Sequence, residues 1–125
     1  MANASGTEKL LPIIIGKAKQ PHAFQKKTGV QLGFEGYQNN AKAWMTLLIY
    51  QDWLHQWNHE LDVKKHNILL FQDNFSGHIV PDGLKRIEVV NFEPNLTLHI
   101  QLMDQGIIQC CKAHYCASFI HHALD

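Results

Sequence analysis

The stretch NILLFQDNFSGH, residues 67–78, decides how the rest of the chain is read. Ile68, Leu69, Leu70 and Phe71 form a short continuous apolar run bounded by turn formers. Such a run reads as a strand over 67–72 buried on both faces, the usual centre of an α/β sheet. Asp73 and Asn74 follow at its carboxyl end, where open α/β sheets place their ligands. The competing reading is that Asp73 and Asn74 only turn the chain, which both residue types favour for local hydrogen-bonding reasons.

Working outward, LLPIIIGK (11–17) reads as a first strand. Residues 18–38 are glycine-rich and read as a loop with one irregular extended piece. Asn39 or Asn40 is placed to cap a helix beginning AKAWMTLLIYQDWLHQWNHEL. Trp44, Leu47, Leu48, Tyr50, Leu54, Trp57 and Leu61 form a broad core-facing stripe on that helix. Met45, Ile49 and Trp53 form a second line, which is either more core or a partner surface. Beyond 67–72, the turn PDGLKR leads to a strand IEVVNF (87–92), and Pro94 and Asn95 then break the chain. Ile107, Ile108, Cys111, Tyr115 and Phe119 recur at helical spacing, giving a terminal helix to about Leu124.

Length and composition set bounds. At 125 residues the chain is read as one domain, with 46% hydrophobic and 18% charged residues excluding a disordered class. A formal net charge of zero provides no overall basic field for nucleic acid, so DNA contact falls to local lysines. Lys26, Lys27, Lys64, Lys65 and Lys112 are the candidates. No apolar run has the length of a membrane span. No basic-then-apolar leader opens the sequence, so secretion is not expected. Three cysteines at 110, 111 and 116 suit a reducing compartment.

Two constellations resemble metal sites. His55 and His59, at i and i+4, share a helix face, but no obvious third and fourth ligands accompany them, and solvated or partly buried histidines are the expectation. Cys110, Cys111 and Cys116 diverge around a helix and cannot converge on one ion, so they are read as buried, apolar-like cysteines. Asp73 and Asp104 differ: each sits at a junction of regular elements, with thirty residues between them. Paired carboxylates at the end of a sheet suit Mg²⁺, which takes oxygen ligands.

Four motifs in order carry a resemblance: ANASGTEKLLPIIIGK, NNAKAWMT, QDNFSGH and LMDQGIIQCCKAHY. Together they resemble the DDE-type endonuclease domain of pogo/Tigger-like transposases, a group that includes centromere protein B and the jerky proteins. The likeness runs from Ala2 to about Tyr115. It implies a ribonuclease-H-like mixed α/β sheet flanked by helices, DNA as partner, a nuclear location, and metal-dependent cleavage and joining of DNA strands. In the family three acids hold two Mg²⁺ (or Mn²⁺) ions, and the second and third match Asp73 and Asp104. Asn74, Ser76 and His78 are expected to shape the loop around the metal. Gln105 and Gly106 are expected to let the terminal helix start close to the substrate phosphate.

Departures from the family pattern qualify that expectation. The first acid belongs to a central strand that would precede Met1, so residues 1–125 read as a partial DDE domain lacking its first strand. Strand 11–17 is then expected to pair directly with 67–72, or the latter to keep an open edge. Glu93 stands where proline is common, Gln109 where arginine is common, and Cys116 where another base is common. Two carboxylates bind metal loosely, and cleavage by these residues alone is not expected. The alternative function is a domesticated, non-enzymatic DNA- or protein-binding module using the line Met45/Ile49/Trp53.

Overall fold

The computed structural model describes residues 1–3, 5–25, 27–93 and 106–124. The architecture is mixed α/β, with short strands β1 (Ile13–Gly16), β2 (Gly36–Asn39), β3 (Ile68–Gln72) and β4 (Ile87–Asn91), and helices α1 (Leu47–Lys64) and α2 (Ile108–Leu124). The chain divides into two compact units, Met1–Trp53 and Leu54–Asp125, and α1 begins in the first and ends in the second.

In the first unit β1 pairs in parallel with β2, Ile13 opposite Gly36 and Gly16 opposite Asn39. Among the described residues, strand 11–17 therefore pairs with 36–39, in parallel, and not with 67–72, the first of the two arrangements the sequence suggested. Local packing explains the choice. Phe24 sits edge-on to Tyr37 with centroids 4.9 Å apart and tilts against Phe34 at 5.6 Å, folding the intervening segment back on itself. The Tyr37 hydroxyl donates to the Ala18 carbonyl at 2.6 Å. A Cβ at Gly16 would collide with the Tyr37 ring, so this close approach requires glycine.

Helix α1 begins six residues later than the motif suggested. The Asn40 side chain accepts from the Lys42 and Trp44 amides at 3.2 Å each and donates to the Trp44 carbonyl at 2.8 Å, closing a turn of its own. Ala43 lies in the left-handed region at φ 52°, which no helix continues through. Thr46 is the true cap: its hydroxyl accepts from the Ile49 amide at 3.4 Å, and its carbonyl from Tyr50 at 3.0 Å. At the other end the amides of Lys65 and His66 donate to the Asp62 and Leu61 carbonyls, a Schellman closure with Lys65 left-handed at φ 55°.

The expected stripe on α1 is narrower than drawn. Tyr50, Leu54 and Leu61 are buried and Trp57 is half-buried, whereas Leu47 and Leu48 are exposed and Trp44 precedes the helix. Met45 also precedes the helix, and Met45, Ile49 and Trp53 are all half-buried, so they do not form an exposed helical line.

In the second unit β3 pairs in parallel with β4, Ile68 opposite Ile87 and Gln72 opposite Asn91. A parallel pair needs a crossover of a dozen or more residues, and residues 73–86 provide it. Leu70, Gln72 and Ile87 are buried while Leu69 and Phe71 face outward, Phe71 stacking on Phe92 at 5.8 Å. Among the described residues strand β3 is thus covered on one face only, a correction to the two-sided burial inferred from its apolar run. Side chains alternate along a strand, and among the described residues β3 pairs only with β4. The end of α1 is tied to the start of β4. Asn58 Oδ1 accepts from the Lys85 and Arg86 amides at 2.9 Å each, and Arg86 Nε donates to Asp62 Oδ1 at 2.8 Å. That contact holds the Asp62 carboxyl below the usual carboxylate range, chiefly through the Arg86 hydrogen bond and then through the nearby Lys65 charge.

Every residue of α2 is exposed. Cys110, Cys111 and Cys116 are therefore exposed thiols rather than buried ones, because burial needs an opposing surface and the described residues provide none there.

Candidate functional site

The parallel pairing of β3 and β4 sets both carboxyl ends side by side, and the last registered pair, Gln72 and Asn91, is the floor of the site. Gln72 is a buried polar residue whose Nε2 donates to Asn91 Oδ1 at 2.7 Å and to the His78 carbonyl at 3.0 Å. The Phe92 amide extends the ladder to the Gln72 carbonyl at 2.9 Å. From this floor the chain leaves β3 and presents Asp73.

Asp73 is half-buried. Its Oδ1 accepts from the Phe75 amide at 3.3 Å, the local turn bond typical of aspartate, and contacts His78 Nδ1 at 2.6 Å. Asp73 thus turns the chain directly after the carboxyl end of β3. Among the described residues no hydrogen bond falls on Oδ2. Asn74 Nδ2 donates to the Phe92 carbonyl at 2.6 Å, pinning the loop to the end of β4. Ser76 is exposed, with no hydrogen-bond partner among the described residues. The loop closes with the His78 amide donating to the Phe75 carbonyl at 2.8 Å and the two rings edge to face at 5.2 Å.

Asp104 and Gln105 lie outside the described residues, so the pairing of Asp104 with Asp73 is not among the contacts seen. Gly106 precedes α2 with φ 112°, where an L side chain is strained, which fits a sharp entry into that helix. Of the expected set, the fold brings Asp73, Asn74 and His78 together and leaves Ser76 at the rim. The sequence reading overlooked Gln72 and Asn91. A glutamine ending an apolar strand, with an asparagine ending the next, was the available signal.

Asp73 is a hard oxygen donor of the kind Mg²⁺ takes, and its uncommitted Oδ2 fits a divalent ion. Among the described residues no three His, Cys, Asp or Glu side chains converge as a metal-binding group. His55 and His59 are both exposed, as are Lys27, Lys64, Lys65 and Lys112, while Lys26 lies outside the described residues. A groove of about 370 Å³ is lined by Asn67, Ile68 and Arg86 at the amino ends of β3 and β4, opposite Asp73. Open α/β sheets bind at the carboxyl ends, so that groove is not the site. No helix among the described residues is long and apolar enough to cross a membrane.

The family described as DDE superfamily endonuclease matches residues 1–125. Tigger transposable element-derived protein 4 of Mus musculus is 32% identical over 90% of this chain and 21% of its own length. Tigger transposable element-derived protein 7 of Homo sapiens is 32% identical over 91% of the chain and 23% of its own length. Major centromere autoantigen B of Homo sapiens is 28% identical, covering 91% of the chain and 18% of that protein. The chain thus spans about a fifth of the length of these relatives. No solved structure matches it. With a family match along its full length and relatives of the Tigger group at 32% identity, the chain belongs to the DDE superfamily endonucleases, in the group of the pogo/Tigger-like transposases.

Proposed function

We propose that residues 1–125 contribute Asp73 and Asp104, the second and third acids of a divalent-metal site, to a ribonuclease-H-like domain that acts on the DNA backbone in the nucleus. The observation that carries this reading is Asp73: its carboxylate stands at the carboxyl end of β3, held through Oδ1 with no described partner on Oδ2. Relatives named as Tigger transposable element-derived, as a centromere autoantigen and as ARS-binding support DNA as the partner class. When bound, Mg²⁺ or Mn²⁺ would supply charge neutralisation at the phosphate and activation of a water. The chain's own residues do the holding: Asn74 fixes the loop to the end of β4, and Gly106 lets α2 start sharply. Exposed lysines such as Lys64, Lys65 and Lys112 contact phosphates.

Of the family's three acids these residues carry two, so the 125-residue chain binds metal weakly and does not cut DNA by itself. The test is an endonuclease assay on supercoiled DNA with Mn²⁺, alongside a mobility shift with nicked DNA. No cleavage is expected. Binding should be metal-dependent and, for about three phosphate contacts, about 40-fold weaker at 200 mM salt than at 50 mM. Cleavage by pure protein that disappeared in Asp73→Ala would show that two acids suffice, or that Glu8 or Glu93 serves as the third. Salt-independent binding would contradict the phosphate contacts.

A further inference from the structure

We infer that His78 is the positioning residue of Asp73, fixing which carboxylate oxygen faces the metal; this rests on the proposed metal role of Asp73. A free aspartate rotates about two side-chain bonds and offers either oxygen. Here His78 Nδ1 lies 2.6 Å from Asp73 Oδ1. Two bare lone pairs at that separation repel, so a proton lies between the atoms; a metal-ligating carboxylate is ionised and only accepts, so the proposal assigns that proton to Nδ1. That nitrogen is accordingly committed to Asp73 and is not itself a metal ligand. The Phe75 amide reaches the same Oδ1 at 3.3 Å, so both described contacts hold one oxygen and neither engages the other.

The imidazole is itself held from behind. Its residue's carbonyl accepts from Gln72 Nε2 at 3.0 Å, and its amide donates to the Phe75 carbonyl at 2.8 Å. The Phe75 ring packs edge-on against it at 5.2 Å. Gln72 is buried and braced by Asn91 at 2.7 Å across the last registered pair of β3 and β4. The chain of support runs from the strand ladder through Gln72 and His78 to Asp73. Outer groups of this kind set ligand orientation, and their loss weakens metal binding by about 10- to 100-fold.

The test titrates Mn²⁺ into the 125-residue chain and its Asp73→Ala, His78→Phe and His78→Asn variants, reading free Mn²⁺ by electron paramagnetic resonance. In parallel, histidine ring ¹⁵N signals are recorded for the metal-free chain. Expected are binding that Asp73→Ala abolishes, a loss of about 10- to 100-fold in His78→Phe, and recovery of most of it in His78→Asn, whose amide N–H replaces the Nδ1 donor. The His78 Nδ1 proton should be protected from exchange in the unsubstituted chain and unprotected in Asp73→Ala. Binding by His78→Phe as tight as the unsubstituted chain overturns the inference, as does His78→Asn binding no better than His78→Phe. An unprotonated Nδ1 also overturns it, and this measurement decides even where His78→Phe does not fold. A protected Nδ1 proton without any Asp73-dependent Mn²⁺ binding would instead overturn the metal reading, and the positioning role with it.

Discussion

Asp62 and Arg86 show how a single contact sets a pH dependence. The Arg86 hydrogen bond lowers the Asp62 pKa, so its contribution to stability is present above the unfolded value of about 3.9 and is lost as pH falls through the folded value. Thermal midpoints should therefore drop below about pH 4, and Asp62→Asn should start lower at neutral pH and converge with the unsubstituted chain in acid. Parallel curves across pH would rule this contribution out. Lys65 offers the opposite case. A non-glycine residue in the left-handed region costs about 1–2 kcal/mol, only partly offset by its 3.7 Å ion pair to Asp62. Lys65→Gly should raise stability by up to about 1 kcal/mol in urea unfolding, and a loss would show that the ion pair outweighs the strain.

At the scale of elements, the fully buried Leu54 and the Thr46 cap are two of the contacts that hold α1. Leu54 is 0% exposed, so Leu54→Ala should cost about 2–5 kcal/mol by denaturant unfolding. Thr46→Ala should cost about 0.5–1 kcal/mol, since its 3.4 Å capping bond is long. If Asn40→Ala shortened the helix and Thr46→Ala did not, the cap would be misassigned. The sequence made α1, α2, β3 and β4 legible because periodicity and apolar runs are local signals. It misplaced the start of α1 because Asn40 serves turn and cap equally well from sequence, and only the left-handed Ala43 separates them. It read 18–38 as a loop with one unlocated extended piece because GYQN lacks any strand pattern; β2 exists through its pairing with Ile13–Gly16. Asp73 was legible as a strand-end carboxylate. The Gln72–Asn91 floor was not, because which residues face each other depends on register.

For the whole molecule, each described sheet has two strands, and such pairs are marginal without further cover. Leu69, Phe71, Tyr115, Phe119 and Leu124 are all exposed, and the formal net charge is zero. The chain should therefore self-associate with rising concentration near neutral pH, and Phe119→Lys should reduce this by removing apolar surface and adding charge. Sedimentation velocity checks it: a single monomeric boundary at all concentrations would contradict the expectation. The central claim, that Asp73 and Asp104 hold a divalent ion at one end of β3, is tested most directly by paramagnetic broadening. Substoichiometric Mn²⁺ added to the ¹⁵N-labelled chain should broaden amides of 73–78 and 104–106 first, and Asp73→Ala should abolish the effect. Broadening centred on His55 and His59 or on the α2 cysteines, or broadening unchanged by Asp73→Ala, would contradict the account.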